Sequence, residues 1–488
     1  MTHSQPDSRR WIALVVLCAG MLMIVLDQTI VNVALPSIQR DLGFSQSSLA
    51  WVINAYLIAF GGLLLLAGRL GDLVGRKRVF LTGITLFTLA SILCGASQDQ
   101  AVLVIARFVQ GAGGALTSSV ILGMIVTMFP EPGDQAKAIG VFSFVASAGA
   151  SIGLLAGGVI TQALSWHWIF FVNVPIGLAT AALALRLVTS DEGLGLDKGA
   201  DVPGAVLITT SLMLGVYTIV KAADYGWGSL HTVGLGAVAV ALAVGFVVRE
   251  RQAATPLIPL GIFRSRAITG ANLVQALMVS GLFGMFFLGA VYMQRVLGYK
   301  PLDVGLAFLP VAVGIGVLSL GVTPRLNMRY GAKQTLLPGL LLVTASLVLL
   351  ARAPVHAGYL SDLALPMLLM GLGAGLVFPS LMTTAMSGVQ MHEAGLASGL
   401  VNTSMQVGGA LGLAVLATLS STRTHDLVAH GSSPASALTS GFHLSLVIGS
   451  GLLLTSIVVA GVVLQAARPS VPEPEFAAGD ELAFSEAA

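Results

Sequence analysis

Charged residues are scarce in this sequence. Asp, Glu, Lys and Arg together make up 9% of the 488 residues, whereas a soluble globular protein carries about 25%. Hydrophobic residues account for 56%, and a chain this apolar cannot cover itself with polar surface in water. The composition therefore argues against a soluble protein and predicts that lipid surrounds much of the chain.

Several chemical signatures are also missing. The chain contains no Gly-x-x-x-x-Gly-Lys-Ser/Thr loop, so it has no ATP-binding motif. The eight histidines are scattered, and the two cysteines, Cys18 and Cys94, lie in apolar segments as expected of packing residues. We therefore expect no metal, no cofactor and no enzyme activity. The net charge of +2 is spread along the chain, which gives no case for a nucleic-acid partner.

Long apolar segments dominate what is present. Segments of about 17–25 apolar residues are typical of helices that cross a membrane. The sequence predicts fourteen of them, at about 11–36, 49–70, 79–97, 101–128, 138–161, 167–188, 203–222, 231–249, 267–293, 303–322, 335–352, 361–386, 396–419 and 442–465.

The basic residues predict the orientation of these spans. Most of the 24 Lys and Arg residues fall in the loops on the same side as the N-terminus. Such an excess is typical of cytoplasmic loops, and an even number of spans places both termini on that side. We therefore expect a multi-pass protein of the cell membrane with both termini in the cytoplasm.

A weak internal repeat predicts two related halves. The loop Gly68–Arg78 follows the second span, and the loop Gly321–Lys333, also basic, follows the tenth. We predict an N-terminal six-helix bundle at residues 1–190, a linker and two-helix insert at 191–260, a C-terminal six-helix bundle at 261–467 and a disordered acidic cytoplasmic tail at 468–488. Two related halves with a solute path between them are typical of secondary transporters.

Two charged residues lie deep within the predicted spans. Asp27 is in the outgoing half of the first span, and Arg107 is near the start of the fourth. A charge in the membrane interior costs about 2.5–3.5 kcal/mol by insertion scales, so each is a candidate functional residue. Their depths are comparable, which favours contact and proton coupling between them. The alternatives are a static hydrogen bond for Asp27 and an Arg107 side chain that extends to the headgroups.

Two glycine-containing patterns predict moving contacts. In the loop after the second span, Gly68 and Gly75 allow tight turns, while Asp72 can pair with a nearby arginine or face a helix N-terminus. The predicted conformational switch comprises Gly68, Asp72, Gly75, Arg76 and Lys77. Small residues at four-residue spacing let helices approach closely in lipid, which predicts a packing gate at Gly149, Gly153, Gly157 and Gly158. The alternatives are a basic membrane anchor and ordinary helix packing.

Uncharged polar residues within the spans are candidates for a solute cavity. They are Asn32, Asn54, Tyr56, Gln110, Asn272, Gln275, Asn402 and Gln406. Each could instead form a hydrogen bond between helices. Many Met and Phe residues accompany them, and adaptable surfaces of this kind suit amphipathic solutes.

These motifs together resemble a known family. Gly68-x-Leu-Gly-Asp-x-x-Gly-Arg-Lys77 matches the signature loop of the major facilitator superfamily, and Leu103-x-x-x-Arg-x-x-Gln-Gly-x-Gly-Gly-Ala115 matches its fourth-helix motif. Gly149–Gly158 is similar to the fifth-helix motif of antiporters, although Leu154 stands where a proline is usual. The segments Leu26–Pro36, Trp166–Pro175 and Ser398–Gly409 resemble the fourteen-span drug:proton antiporter branch.

The resemblance implies an all-α polytopic membrane protein with the major facilitator fold, two six-helix bundles plus a two-helix insert. It implies a proton-driven antiporter that exports amphipathic drugs or antibiotic-like compounds by alternating access, with a small amphipathic substrate, protons and the lipid bilayer as partners. It also implies that the fifth-helix glycine face lies between the halves. Export or import of one specific metabolite is the alternative within this class, and a membrane sensor without transport is the alternative outside it.

Overall fold

The chain folds into long α-helices. A computed structural model describes residues 7–189, 191, 193–195, 199–387 and 394–464. The helices are α1 (Asp7–Leu42), α2 (Trp51–Val74), α3 (Arg76–Gly95), α4 (Gln100–Met128), α5 (Pro132–Ala163), α6 (Trp168–Phe171), α7 (Asn173–Leu187), α8 (Val202–Tyr225), α9 (Leu230–Gln252), α10 (Arg266–Arg295), α11 (Pro301–Ala307), α12 (Leu309–Val317), α13 (Thr323–Tyr330), α14 (Ala332–Leu350), α15 (Ala364–Met386), α16 (Ala394–Ala429) and α17 (Pro434–Val463).

All fourteen predicted spans fall on helical segments. Within the described residues, twelve helices are long and apolar enough to cross a membrane. The other two spans are the 32-residue α5 and the tenth span, in which α11, α12 and α13 follow one another with a π-helical turn at Leu318–Val322. Helices satisfy their own backbone groups, which the apolar interior of a bilayer requires. The predicted tail at 468–488 lies outside the described residues.

The basic loop of each half makes the same contact. Gly75 and Gly331 both have positive φ, at 105° and 91°, and each begins the turn into the next helix. Two residues later, the Lys77 ammonium donates to the Leu185 carbonyl in the last turn of α7, at 2.9 Å. Lys333 likewise donates to the Leu464 carbonyl just beyond α17, at 2.5 Å. Each lysine thus caps the last helix of its own six-helix group, as expected for related halves.

The two halves meet closely at one end of the bundle. We call the end where α1 leads into α2 the distal end, and the opposite end, with the loop Gly68–Arg78, the proximal end. Three hydrogen bonds join the halves distally: Gln294 to the Val33 carbonyl, the Leu302 amide to Gln162, and Gln46 to Ser420. Distal closure between halves is one of the two states that alternating access requires.

The two-helix insert packs on the seam between the halves. Helix α8 lies against both α2 and α16, and α9 packs against α8. The approach of α8 to α2 is close, because a Cβ atom built on Gly62 would lie 2.6 Å from the Thr209 hydroxyl. The exact domain boundaries at residues 190 and 260 stay predictions.

The glycine face of the fifth span lies elsewhere than predicted. Cβ atoms at Gly149, Gly153 and Gly157 would meet α1 of the same half, and that at Gly153 would overlap the Thr29 hydroxyl. The implied position between the halves is therefore wrong for these three residues. Only Gly158 faces the other half, with its Cβ position 2.9 Å from the Pro301 carbonyl. The four-residue spacing predicted close packing correctly but did not determine the partner helix.

Candidate functional site

Asp27 lies at the centre of a buried polar network in the first six-helix group. Its side chain is fully buried on α1. One carboxylate oxygen accepts a hydrogen bond from the Arg107 Nη1 atom at 2.5 Å. The other accepts from the Gln110 amide at 2.8 Å and from the Asn173 amide at 2.9 Å. The carboxylate is thus paired with a cation and held by three contacts from two other helices, two from α4 and one from α7.

Several hydrogen bonds and a ring contact hold the Arg107 side chain in place. Its Nε atom donates to the Val52 carbonyl at 2.9 Å, and Nη1 also donates to the Gln110 side chain at 2.7 Å. The guanidinium carbon lies 4.4 Å from the centre of the Tyr56 ring, within cation–π range. Only 1% of the residue is exposed, so the side chain does not extend to the headgroups. That alternative is wrong, and contact with Asp27 is confirmed.

Sequence reasoning missed two members of this network. Ser91 on α3 accepts from the Gln110 amide at 2.7 Å, and the Asn173 amide lies 3.4 Å from the same hydroxyl. Both residues are fully buried. Asn173 falls within the Trp166–Pro175 motif, and an asparagine in an apolar span was the signal that could have identified it.

The network pairs one carboxylate with one guanidinium group in a site that is closed to solvent. Burial disfavours any uncompensated charge, so the ion pair is balanced only while Asp27 is ionised. Protonation of Asp27 would leave Arg107 with uncharged partners, including Gln110 and the Val52 carbonyl. Uptake of a proton would therefore favour rearrangement of the helices that hold the pair.

The predicted cavity residues separate into two groups. Gln110 belongs to the network above, Asn32 donates to carbonyls of its own helix, and Asn272 donates to Ile268 and accepts from Ser404. Tyr56 lies under Arg107, and Asn402 is half-buried on α16. By contrast, both amide atoms of Asn54 and Gln406 and the Gln275 oxygen are buried without a hydrogen-bond partner in the part of the chain that the structure describes.

The predicted switch loop closes around Arg76. The Arg76 guanidinium donates to Asp72 at 3.2 Å and to the Gly123 carbonyl of α4 at 3.1 Å. Gly71, one turn before, allows Val120 of α4 to approach. The pairing expected for Asp72 is therefore present with Arg76, whereas the N-terminus of α3 is occupied by a different acid, Asp191.

A fold of two six-helix groups joined by a two-helix insert, with a buried ion pair in one group, defines a secondary transporter of the membrane. The chain belongs to the major facilitator superfamily, whose family model matches residues 17–413. This family membership confirms the predicted family and confirms that the protein is a transporter rather than an enzyme.

Relatives and solved structures agree with this assignment. The chain is 42% identical to the puromycin resistance protein pur8 of Streptomyces alboniger, over 96% of this chain and 94% of that protein. It is 36% identical to the cephamycin export protein CmcT of Amycolatopsis lactamdurans, over 94% and 93%. A bacterial homologue of the human lysosomal transporter Spinster, solved in an inward-facing state, shares the fold with a TM-score of 0.68 at 16% identity, over 94% and 98%.

Proposed function

We propose that this protein is a proton-driven antiporter that exports amphipathic, antibiotic-like compounds by alternating access. The observation that carries the proposal is the fully buried Asp27–Arg107 pair. An acid in such a position can take up a proton in one conformation and release it in another. The relatives named for puromycin resistance and cephamycin export support export as the direction and antibiotics as the solute class.

The proton step couples to the solute path through helix movement. Protonation of Asp27 weakens the pair with Arg107, which frees α1 and α4 to change their packing. The side-chain amides of Asn54 and Gln406, which have no hydrogen-bond partner among the described residues, supply donors and acceptors for a solute. Buried amides of this kind gain most from a new partner. With the termini in the cytoplasm, distal closure is expected of the state that takes up its solute from the cytoplasm.

The energy available from protons is sufficient. One proton moving down about 100 mV yields about 2.3 kcal/mol. A tenfold gradient corresponds to about 1.4 kcal/mol, so one proton sustains a gradient of roughly 50-fold for a neutral solute.

Flux in proteoliposomes tests the proposal. Puromycin and a cationic amphipathic dye would be offered under an imposed pH gradient to the wild type, Asp27→Asn and Asp224→Asn. Asp224 is an exposed acid paired with Lys221 and serves as the matched control. We expect uphill, gradient-dependent transport by the wild type and the control. Asp27→Asn should retain only downhill exchange.

Each other outcome contradicts a defined part of the proposal. Full coupling in Asp27→Asn would show that Asp27 is not the proton site. Flux of a single compound in a wider panel would favour the specific exporter. No flux of any compound by the wild type would favour a membrane sensor.

A further inference from the structure

The segment after α7 caps a helix that lies far away in the sequence. The Asp191 carboxylate accepts hydrogen bonds from the backbone amides of Arg76 at 2.9 Å and Lys77 at 3.2 Å. These are the first two residues of α3. The first amides of a helix have no partner within it, and a carboxylate there also complements the helix dipole. Asp191 thus acts as an N-cap across 115 residues of sequence.

The same segment also satisfies the end of the preceding helix. The Leu194 amide donates to the Asp72 carbonyl at 2.9 Å, and the Gly195 amide donates to the Leu73 carbonyl at 3.1 Å. These carbonyls lie in the last turn of α2, where the helix itself supplies no donor. The segment therefore bonds to the end of α2 and the start of α3 at once.

Two glycines make this close approach possible. A Cβ atom on Gly75, which has φ of 105°, would lie 2.8 Å from the Asp191 carbonyl oxygen. A Cβ atom on Gly193 would overlap the Leu73 carbonyl. The glycine turn between α2 and α3 therefore leaves room for this segment and also reverses the chain.

The contacts continue toward the insert. The Arg69 Nε atom of α2 donates to the Gly199 carbonyl at 3.3 Å, and α8 starts immediately afterwards. Since α8 also packs against α2 at Gly62, the insert is attached to α2 both through the backbone and through side chains.

From these contacts we infer that Asp191 is a positioning residue of the transport cycle. It joins the α2–α3 turn to the linker, so that Arg76 stays aligned with Asp72. The inference rests on the proposed function for its kinetic part. The contact itself is independent of what is transported.

Hydrogen exchange tests the contact. Asp191→Ala is compared with Asp99→Ala, because Asp99 also accepts from two backbone amides but caps only its own helix, α4. Asp191→Ala should speed exchange at Arg76, Lys77, Leu194 and Gly195 by about fivefold, the size expected when a cap is lost. Asp99→Ala should leave all four amides unchanged. Unchanged exchange in Asp191→Ala would overturn the inference.

Transport kinetics test the positioning role. We expect Asp191→Ala to lower kcat by about five- to tenfold and to change KM less than twofold, since the solute site is elsewhere. Asp191→Asn, which keeps an acceptor for one amide, should recover part of the rate. Faster exchange together with an unchanged kcat would reduce Asp191 to a structural cap and overturn its role in transport.

A second variant, Gly193→Ala, perturbs the contact between the linker and the α2–α3 turn without a change of charge. Gly193→Ala should displace the segment and reproduce the exchange pattern of Asp191→Ala. Gly234→Ala is its control, because a Cβ atom there lies more than 4 Å from every described residue that it could contact. If the wild type transports nothing under a pH gradient, the proposed function fails, whereas the exchange comparison still decides whether the contact exists.

Discussion

A double-mutant cycle on Asp27 and Arg107 measures how strongly the buried pair is coupled. Arg107→Ala leaves Asp27 with two of its three hydrogen bonds, both from uncharged amides. Breaking a buried pair by removing one partner costs about 3–5 kcal/mol, largely because an unpaired charge stays buried. In Arg107→Ala/Asp27→Asn that charge is gone. We therefore expect the double variant to be more stable than Arg107→Ala alone by about 2 kcal/mol, or about 30-fold in the unfolding equilibrium.

The assay is unfolding by SDS in mixed micelles, followed by tryptophan fluorescence. The matched cycle uses Lys221→Ala and Asp224→Asn, an exposed pair 2.8 Å apart, for which coupling below about 1 kcal/mol is expected. Additive effects at Asp27 and Arg107 would refute a coupled pair. If Arg107→Ala cannot be purified, recovery of the folded double variant would itself support the coupling.

Two further predictions concern other parts of the molecule. Asn54→Leu removes a buried amide that has no hydrogen-bond partner among the described residues, so it should weaken solute binding without loss of stability. Asn272→Leu breaks the hydrogen bond from Ser404 and should lower the free energy of unfolding by about 1–3 kcal/mol. Solute binding and SDS unfolding of both variants check these two expectations. Burial lowers the pKa of His167 from its usual 6.5, partly offset by Asp41, so the unfolded chain binds the proton more readily. Stability should therefore fall as the pH drops just below 6.5, and His167→Gln should remove this dependence in thermal melts at several pH values.

The sequence predicted those features of the protein that depend on a residue and its immediate neighbours in the chain. The apolar runs, the charge bias and the cost of an acid in lipid predicted fourteen helical spans and identified Asp27 and Arg107 as exceptional. Each of these signals depends on a residue and its neighbours in the chain, or on the solvent around it. The family motifs added the fold, and the family model later confirmed it.

Only the tertiary structure decided the partners. Asn173 reaches Asp27 across 146 residues, and Asp191 reaches Arg76 across 115. The glycine face at Gly153 packs on α1 rather than on the other half. The periodic pattern of a helix predicts that one of its faces is smooth or polar, but any neighbouring helix could pack against that face. Which helix does so is determined by how all the helices pack together, and that information is distributed over the whole chain.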